Sequence, residues 1–290
     1  MPTRGDDELP PEEAPASEAP GHPEIVRVRA PNPGPMTLAG TNTYVVGSSP
    51  AWVIDPGPAD AGHIAEVRDV AEARGGIGGV VLTHSHSDHS GGVEMLGAGI
   101  DWGDASGTDE AAELAAAMTS AAGDGTGGEE PPPFAAPPAK VGPFDVMPTP
   151  GHARDHVAFV LGPVCFCGDL VLGEGSTIVP PAAAGGSLAD YMRSLELVGG
   201  LASTLLCPGH GPWITDPRAR IDEYAAHRRE RERLLLEAID GGVRSRDELL
   251  DAAWSDVPAD LRPAAALALR AHLEKLKADG ALPADLEIHL

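Results

Sequence analysis

Three histidines and an aspartate fall within six residues, His84, His86, Asp88 and His89, in the stretch VVLTHSHSDHSGG at 80–92. Imidazole and carboxylate groups crowded in this way suit zinc and its first-row neighbours. The apolar run Val80 to Leu82 predicts a buried strand, so the donors sit at a strand's lip. Ser90 is the candidate cap of a helix leading away. Three more metal-capable residues follow the same plan, each in a turn after a strand: His152, Asp169 and His210. Two of them share a local frame, Pro150-Gly151-His152 and Pro208-Gly209-His210, in which proline and glycine bend the chain and turn an imidazole inward. Seven donors suffice for two ions if one carboxylate bridges them. A pair of cations a few ångströms apart would draw the pKa of a shared water toward neutrality, which points to hydrolysis of a carbonyl or phosphoryl centre.

The elements that must position these residues read as a layered α/β fold. Ile25–Val28, Thr43–Val46 and Trp52–Ile54 are predicted strands, the third closed by Asp55-Pro56-Gly57. Asp60 caps a helix running to Arg74, with Ile64, Val67, Val70 and Ala71 on one face and Gly75-Gly76 at its end. Strand, helix and the Val80–Leu82 strand then alternate. A second set follows. Phe144–Met147 is a strand, and Val157–Leu161 with Val164–Phe166 form a hairpin about Gly162-Pro163. Ser187 caps a helix bearing Leu188, Tyr191, Met192, Leu195 and Val198, and Thr204–Cys207 is a short strand. Asp216-Pro217 opens a long charged helix to about Asp240. Ser245 and Glu248 form a capping box for a short helix, and residues 260–279 make a third.

The 290 residues carry a formal charge of -24, which disfavours broad non-specific grip on nucleic acid. Most of the lysines and arginines lie beyond Pro217, so a local basic groove stays open. Residues 1–23 are rich in proline and glutamate, and the expectation is a disordered acidic tail. Residues 97–140 hold a helix-favouring run at 109–122 and a Pro/Gly-rich loop; the acids there suit a solvated face. Three cysteines, Cys165, Cys167 and Cys207, suggest a reducing compartment, and all three are expected to pack in the core. No apolar run approaches membrane-spanning length and the acidic start is no signal peptide, so the expected setting is cytoplasmic, without a membrane partner.

With these motifs in order, the chain resembles the metallo-β-lactamase superfamily. The resemblance implies an αββα sandwich over 24–216, followed by a small winged-helix-like helical module at 217–290. It assigns His84, His86 and His152 to one metal, and Asp88, His89 and His210 to a second. Asp169 bridges, and Asp55 supports the metal loop from behind. Two zinc ions are implied; manganese or iron would fit similar ligands. A true β-lactamase is disfavoured, because the common kind lacks an Asp169-type bridge. A closer resemblance is to the group around β-lactamase-like protein 2, single-strand-selective endoribonucleases. It rests on Gly40-Thr41-Asn42-Thr43-Tyr44, Thr149-Pro150-Gly151-His152, Asp155-His156, Gly168-Asp169, Leu172 to Thr177, Asp190 to Leu195, Pro208 to Pro212 and His227-Arg228. It departs at 97–140 and at Ala153, where a Thr or Ser often stands.

That resemblance implies a phosphodiesterase acting on single-stranded RNA. A thioester hydrolase resembling hydroxyacylglutathione hydrolase is the alternative, favoured by the net acidity. A third reading is a binding protein working through its C-terminal module with structural metals. Asp88 and His156 are the catalytic candidates; His156 could protonate a leaving oxygen but is better placed to brace the metal loop. Glu174, Ser176 and Thr177 could line the cleft or form a plain turn. His22, His63, His227, His272 and His289 are expected mostly at the surface. The run Arg228 to Arg233 is expected to be a solvated helix face, with phosphate contact as the sharper reading. Trp213 and Trp254 are expected as core or interdomain anchors.

Overall fold

The computed structural model describes residues 16–97 and 139–282. The expected loop and helix between them therefore lie outside the described residues, as does His289. Two five-stranded sheets stack face to face. The first has strand order β1 (Ala16–Ala19), β2 (His22–Arg29), β3 (Asn42–Val46), β4 (Ala51–Ile54), β5 (Ile77–Val81). The second runs β10 (Leu205–Pro208), β9 (Val164–Gly168), β8 (Val157–Leu161), β7 (Phe144–Pro148), β6 (Lys140–Val141). Neighbours are antiparallel except for one parallel pair in each sheet, β4 with β5 and β9 with β10. A parallel pair needs a crossover, and a helix supplies each: α1 (Ala61–Glu72) and, after the short turns α2 (Ser87–Ser90) and α3 (Val93–Leu96), α4 (Leu188–Gly199).

Period-two alternation sorts the side chains into layers. Val26, Val28, Val45, Val53 and Val80 face outward and pack on Ile64, Val67 and Ala71 of α1. Ile25, Tyr44, Val46 and Ile54 face inward and meet Phe144, Phe159, Val164 and Phe166 of the second sheet. Cys165 and Cys167 face outward together, against Leu188, Tyr191 and Leu195 of α4, while Cys207 lies between the sheets. All three thiols are free and buried, as expected of small core hydrophobes.

Several expectations need correction. Residues 16–23 are not a tail. Ser17 pairs with Arg27 along β2, its hydroxyl accepts from Arg27 Nη2 at 3.1 Å, and Ala19 packs in the core between the sheets. A segment with few apolar side chains can still be ordered when a neighbouring strand supplies its backbone partners. Ser90 ends α2 rather than opening a helix; its hydroxyl donates back to Ser85 O and His86 O. The helix caps at Asp60, Ser187, Asp216 and Ser245 are as read.

The third correction concerns α5 (Pro217–Asp240), the long charged helix. Its first half belongs to the sandwich: Ile221 and Tyr224 pack with Leu170 and Val171. Its second half joins α6 (Arg246–Ala253) and α7 (Arg262–Ala278) in a separate core of Leu235, Ile239, Leu249, Trp254, Leu269 and Leu273. Packing does not break at 216/217; one helix runs through both bodies. Nor is the Arg228–Arg233 run wholly solvated. Arg228 and Arg231 are buried, Arg231 forking onto Asp256 at 2.7 and 2.8 Å and stacking on Trp254. Burying an unpaired guanidinium costs several kcal/mol, so each must be held by specific acceptors. His63 and His272 are likewise buried, at 2% and 1% exposure, not at the surface.

Candidate metal centre

The four parallel strands all end at one rim. Asp55 follows β4, the histidine loop follows β5, Asp169 follows β9 and His210 follows β10. His152 arrives on the turn between β7 and β8. Ligand sites in α/β proteins gather beyond the carboxyl ends of parallel strands for this reason. The two sheets are joined at the rim by backbone bonds. Asn42 N donates to Gly209 O and Val157 N to Thr83 O. The Asn42 amide also donates to Pro208 O and Gly211 O, both at 2.9 Å, and Tyr44 Oη to Pro208 O at 2.6 Å. The glycines of the two Pro-Gly-His frames are needed for close approach. A Cβ on Gly209 would lie 2.2 Å from Asp169 Oδ1, and one on Gly151 would lie 2.4 Å from Tyr191 Cα.

The expected donors converge. His84, His86 and His152 form one group, Asp88, His89 and His210 a second, and His84, His89 and Asp169 connect them; within each group the ligand atoms lie within 4.8 Å of one another. His86 Nδ1 is 3.0 Å from His84 Nε2 and 3.1 Å from His152 Nε2. His89 Nε2 is 3.3 Å from His210 Nε2. Asp169 stands between the groups, Oδ1 at 3.5 Å from His89 Nε2 and Oδ2 at 3.4 Å from His210 Nε2 and 3.6 Å from His152 Nε2. Asp88 Oδ2 is 3.3 Å from His210 Nε2.

Supporting hydrogen bonds fix which nitrogen is free. Asp55 accepts from Thr83 N, from Thr83 Oγ1 and, at 2.9 Å, from His89 Nδ1. Thr83 Oγ1 in turn lies 3.1 Å from His84 Nδ1. His152 Nδ1 donates to Ile178 O at 2.8 Å, and His210 Nδ1 points at Gly40 O. With Nδ1 bonded in this way in these four rings, Nε2 is the nitrogen left for a metal, and it presents a lone pair wherever the ring is neutral. Lone pairs facing one another at about 3 Å repel unless a cation lies between them. Asp169 Oδ1 is buried with no hydrogen-bond partner. This donor set fits divalent metal ions.

Electrostatics divide the cluster. Burial pushes His84 well down and His152 down, so both are neutral donors. Burial also opposes charge on His210, but Asp169 and Asp88 outweigh it and lift it to about 10. His89 is raised against burial by Asp169 and Asp55. Asp169 is held well below the usual carboxylate range, His210 and His89 overcoming its burial. The carboxylate side therefore attracts cations, and there metal competes with protons.

His156 is buried among these rings, its centroid 5.2 Å from that of His84 and its Nδ1 2.8 Å from Thr149 Oγ1. Burial pushes it down to about 3. A neutral ring in the wall braces the loop; it does not reach the opening. Glu174 and Ser176 are exposed, whereas Thr177 is buried with Oγ1 3.3 Å from His152 Nδ1. Sequence reasoning missed the holders of the second sheet's ligands. One signal was present: Arg220, Tyr224 and Arg228 recur every fourth residue on an otherwise charged helix.

Residues 36–210 match the family described as Metallo-beta-lactamase superfamily, and residues 245–282 match Beta-lactamase associated winged helix domain. The chain belongs to the metallo-beta-lactamase superfamily, whose members are metal-dependent hydrolases. It is 32% identical to the Beta-lactamase-like protein 2 homolog of Drosophila melanogaster over 277 residues, covering 89% of each chain. It is 30% identical to the Atrochrysone carboxyl ACP thioesterase of Aspergillus fumigatus, covering 82% of this chain and 76% of that one. Among solved structures, a metallo-beta-lactamase family protein from Thermus thermophilus superposes with TM-score 0.65 at 26% identity, over 91% of this chain and 96% of that one. No helix among the described residues is long and apolar enough to cross a membrane.

Proposed function

We propose that the chain is a binuclear zinc hydrolase that cleaves phosphodiester bonds in single-stranded RNA, in the manner of an endoribonuclease. The observation that carries this reading is the likeness to a beta-lactamase-like protein 2 homolog over 89% of each chain, beside the match of residues 245–282 to the associated winged helix domain. The motifs that tie the chain to that group lie at the metal rim, on α4 and on α5.

Two divalent ions held by the seven ligands would supply an activated water near neutral pH and positive charge for the attacked group. The protein's own contribution is position. Asp169, with one oxygen toward His89 and the other toward His210 and His152, is placed to bridge. Asp88, with its side chain 29% exposed, is the carboxylate that incoming water and substrate meet, and it is the candidate to take up a proton. Asp55 and Thr83 hold the loop, and His156 fills the wall behind it.

A second reading keeps the site and changes the bond. The thioesterase relative, with the chain's formal charge of -24, supports a small thioester substrate. Purified protein loaded with zinc or manganese, given labelled single-stranded RNA and S-lactoylglutathione side by side, separates the two. The expected result is RNA cleavage that weakens steeply with salt, because phosphate contacts release counterions. Intact RNA with rapid thioester loss would replace the first reading by the second.

A further inference from the structure

Helix α5 grips the loop that sets His152. Arg220, Tyr224 and Arg228 stand four residues apart, on one face. Arg220 Nε donates to Leu172 O at 3.1 Å, and its Nη2 to Gly175 O at 2.8 Å. Leu172 N donates to Tyr224 Oη at 2.9 Å. Arg228 Nη2 donates to Thr177 O. Three consecutive rungs thus hold the backbone from Leu172 to Thr177. The next residue, Ile178, offers the carbonyl that accepts from His152 Nδ1. Arg228 is only 3% exposed, and its guanidinium lies 5.3 Å over the ring of Tyr191, whose hydroxyl donates to Leu170 O beside Asp169.

We infer that Arg228 is a positioning residue for the metal centre. Together with Tyr224 and Arg220, it fixes the height of the 172–178 loop. The loop fixes which nitrogen of His152 carries the proton and where Nε2 points. The geometry favours this over a packing role, because the buried guanidinium is aimed at a backbone carbonyl one residue from the ligand's acceptor. Arg228 touches neither substrate nor metal. The inference rests on His152 being a ligand and not on which bond the enzyme cuts, so it survives if the RNA reading fails.

The test uses the full chain and zinc itself, titrated against a chromophoric chelator. Supporting hydrogen bonds to metal ligands contribute roughly 10–100-fold in affinity, and one acting through a loop belongs at the lower end. Arg228→Met should therefore weaken one of the two bound zinc ions about tenfold. Arg228→Lys, which keeps a donor for Thr177 O, should recover most of that loss. Tyr224→Phe removes the hydroxyl that accepts from Leu172 N and should shift affinity in the same direction by less. The imidazole N–H proton resonance of His152 should move in each weakened variant. Leu250→Ala, in the separate helical core, should lower the thermal midpoint and leave both zinc affinities unchanged. If Arg228→Met does not fold, Tyr224→Phe and Arg228→Lys decide. Wild-type affinity for both ions in every folded rung variant, or an equal loss in Leu250→Ala, overturns the inference.

Discussion

The two halves of the sandwich share one plan, antiparallel strands and then a helix crossing to a parallel partner, yet they hold their ligands differently. In the first half four ligands stand on one loop, and one aspartate, Asp55, fastens it by three hydrogen bonds. In the second half each ligand has its own turn and its own holder: Ile178 O for His152, Gly40 O for His210, and for Asp169 the neighbouring Leu170 carbonyl tied to Tyr191. A concentrated site can be fastened by one side chain. A dispersed one needs a separate brace at each turn, and several of these come from distant parts of the chain.

The comparison can be broken at its shared member first. Asp169→Ala removes the residue that faces both groups. Turnover on RNA and on thioester should fall by more than the roughly 100-fold that a lost supporting hydrogen bond costs, and metal per chain should drop from two toward one. Unchanged turnover would remove the metal-hydrolase mechanism from these residues. Next comes Asp55→Ala. Because a single carboxylate supports the loop, the expected loss in metal affinity is about 100-fold, with both ions weakened. Thr177→Val touches only the hydroxyl near His152, so about a tenfold loss confined to one ion is expected in the same titration. If Asp55→Ala were as mild as Thr177→Val, the contrast between one fastening and many would be gone.

The smallest effect separates the two outer helices. His63 of α1 is buried beside Thr43 and burial pushes its pKa down. The matching buried residue of α4, Tyr191, is pushed up instead, out of range of acid. A depressed folded-state pKa gives stability that is complete above the unfolded value, near 6.5, and is lost as pH falls through the folded value. Amide protection, corrected for the intrinsic slowing of exchange at lower pH, should therefore fall in α1 before α4 between pH 7 and 5. In His63→Gln that early acid response should shrink; an equal response in both helices, with or without His63, would contradict it.

How much of this was legible depended on distance along the chain. HSHSDH can be read at sight because its donors are adjacent. His152 and His210 were legible through their repeated Pro-Gly frame, and Asp169 through the strand-turn grammar it shares with them. The apolar runs of β2, β3 and β9 were legible as strands, but which of their residues face which layer was not. What was not legible was burial of charge. Arg228 sits in a run that looks solvated, and its partners, Thr177 O and the Tyr191 ring, lie 51 and 37 residues earlier. His63 was assigned to the surface because its hydrogen-bond partner, Thr43, lies on another element. The strand Ala16–Ala19 was hidden for the same reason: its order comes from Arg27 and Val28, not from its own composition.

The rim where the sheets are stitched together has one more consequence. Asn42, Gly209, Val157 and Thr83 join segments that are far apart in sequence, and the ligands stand on those same segments. An ion seated there acts as a rivet through both plates. Whatever binds the folded form alone stabilises it by mass action, about 4 kcal/mol when free ligand is a thousand times its dissociation constant. Resistance to heat should then follow the supply of metal, and a starved molecule should open along the seam first.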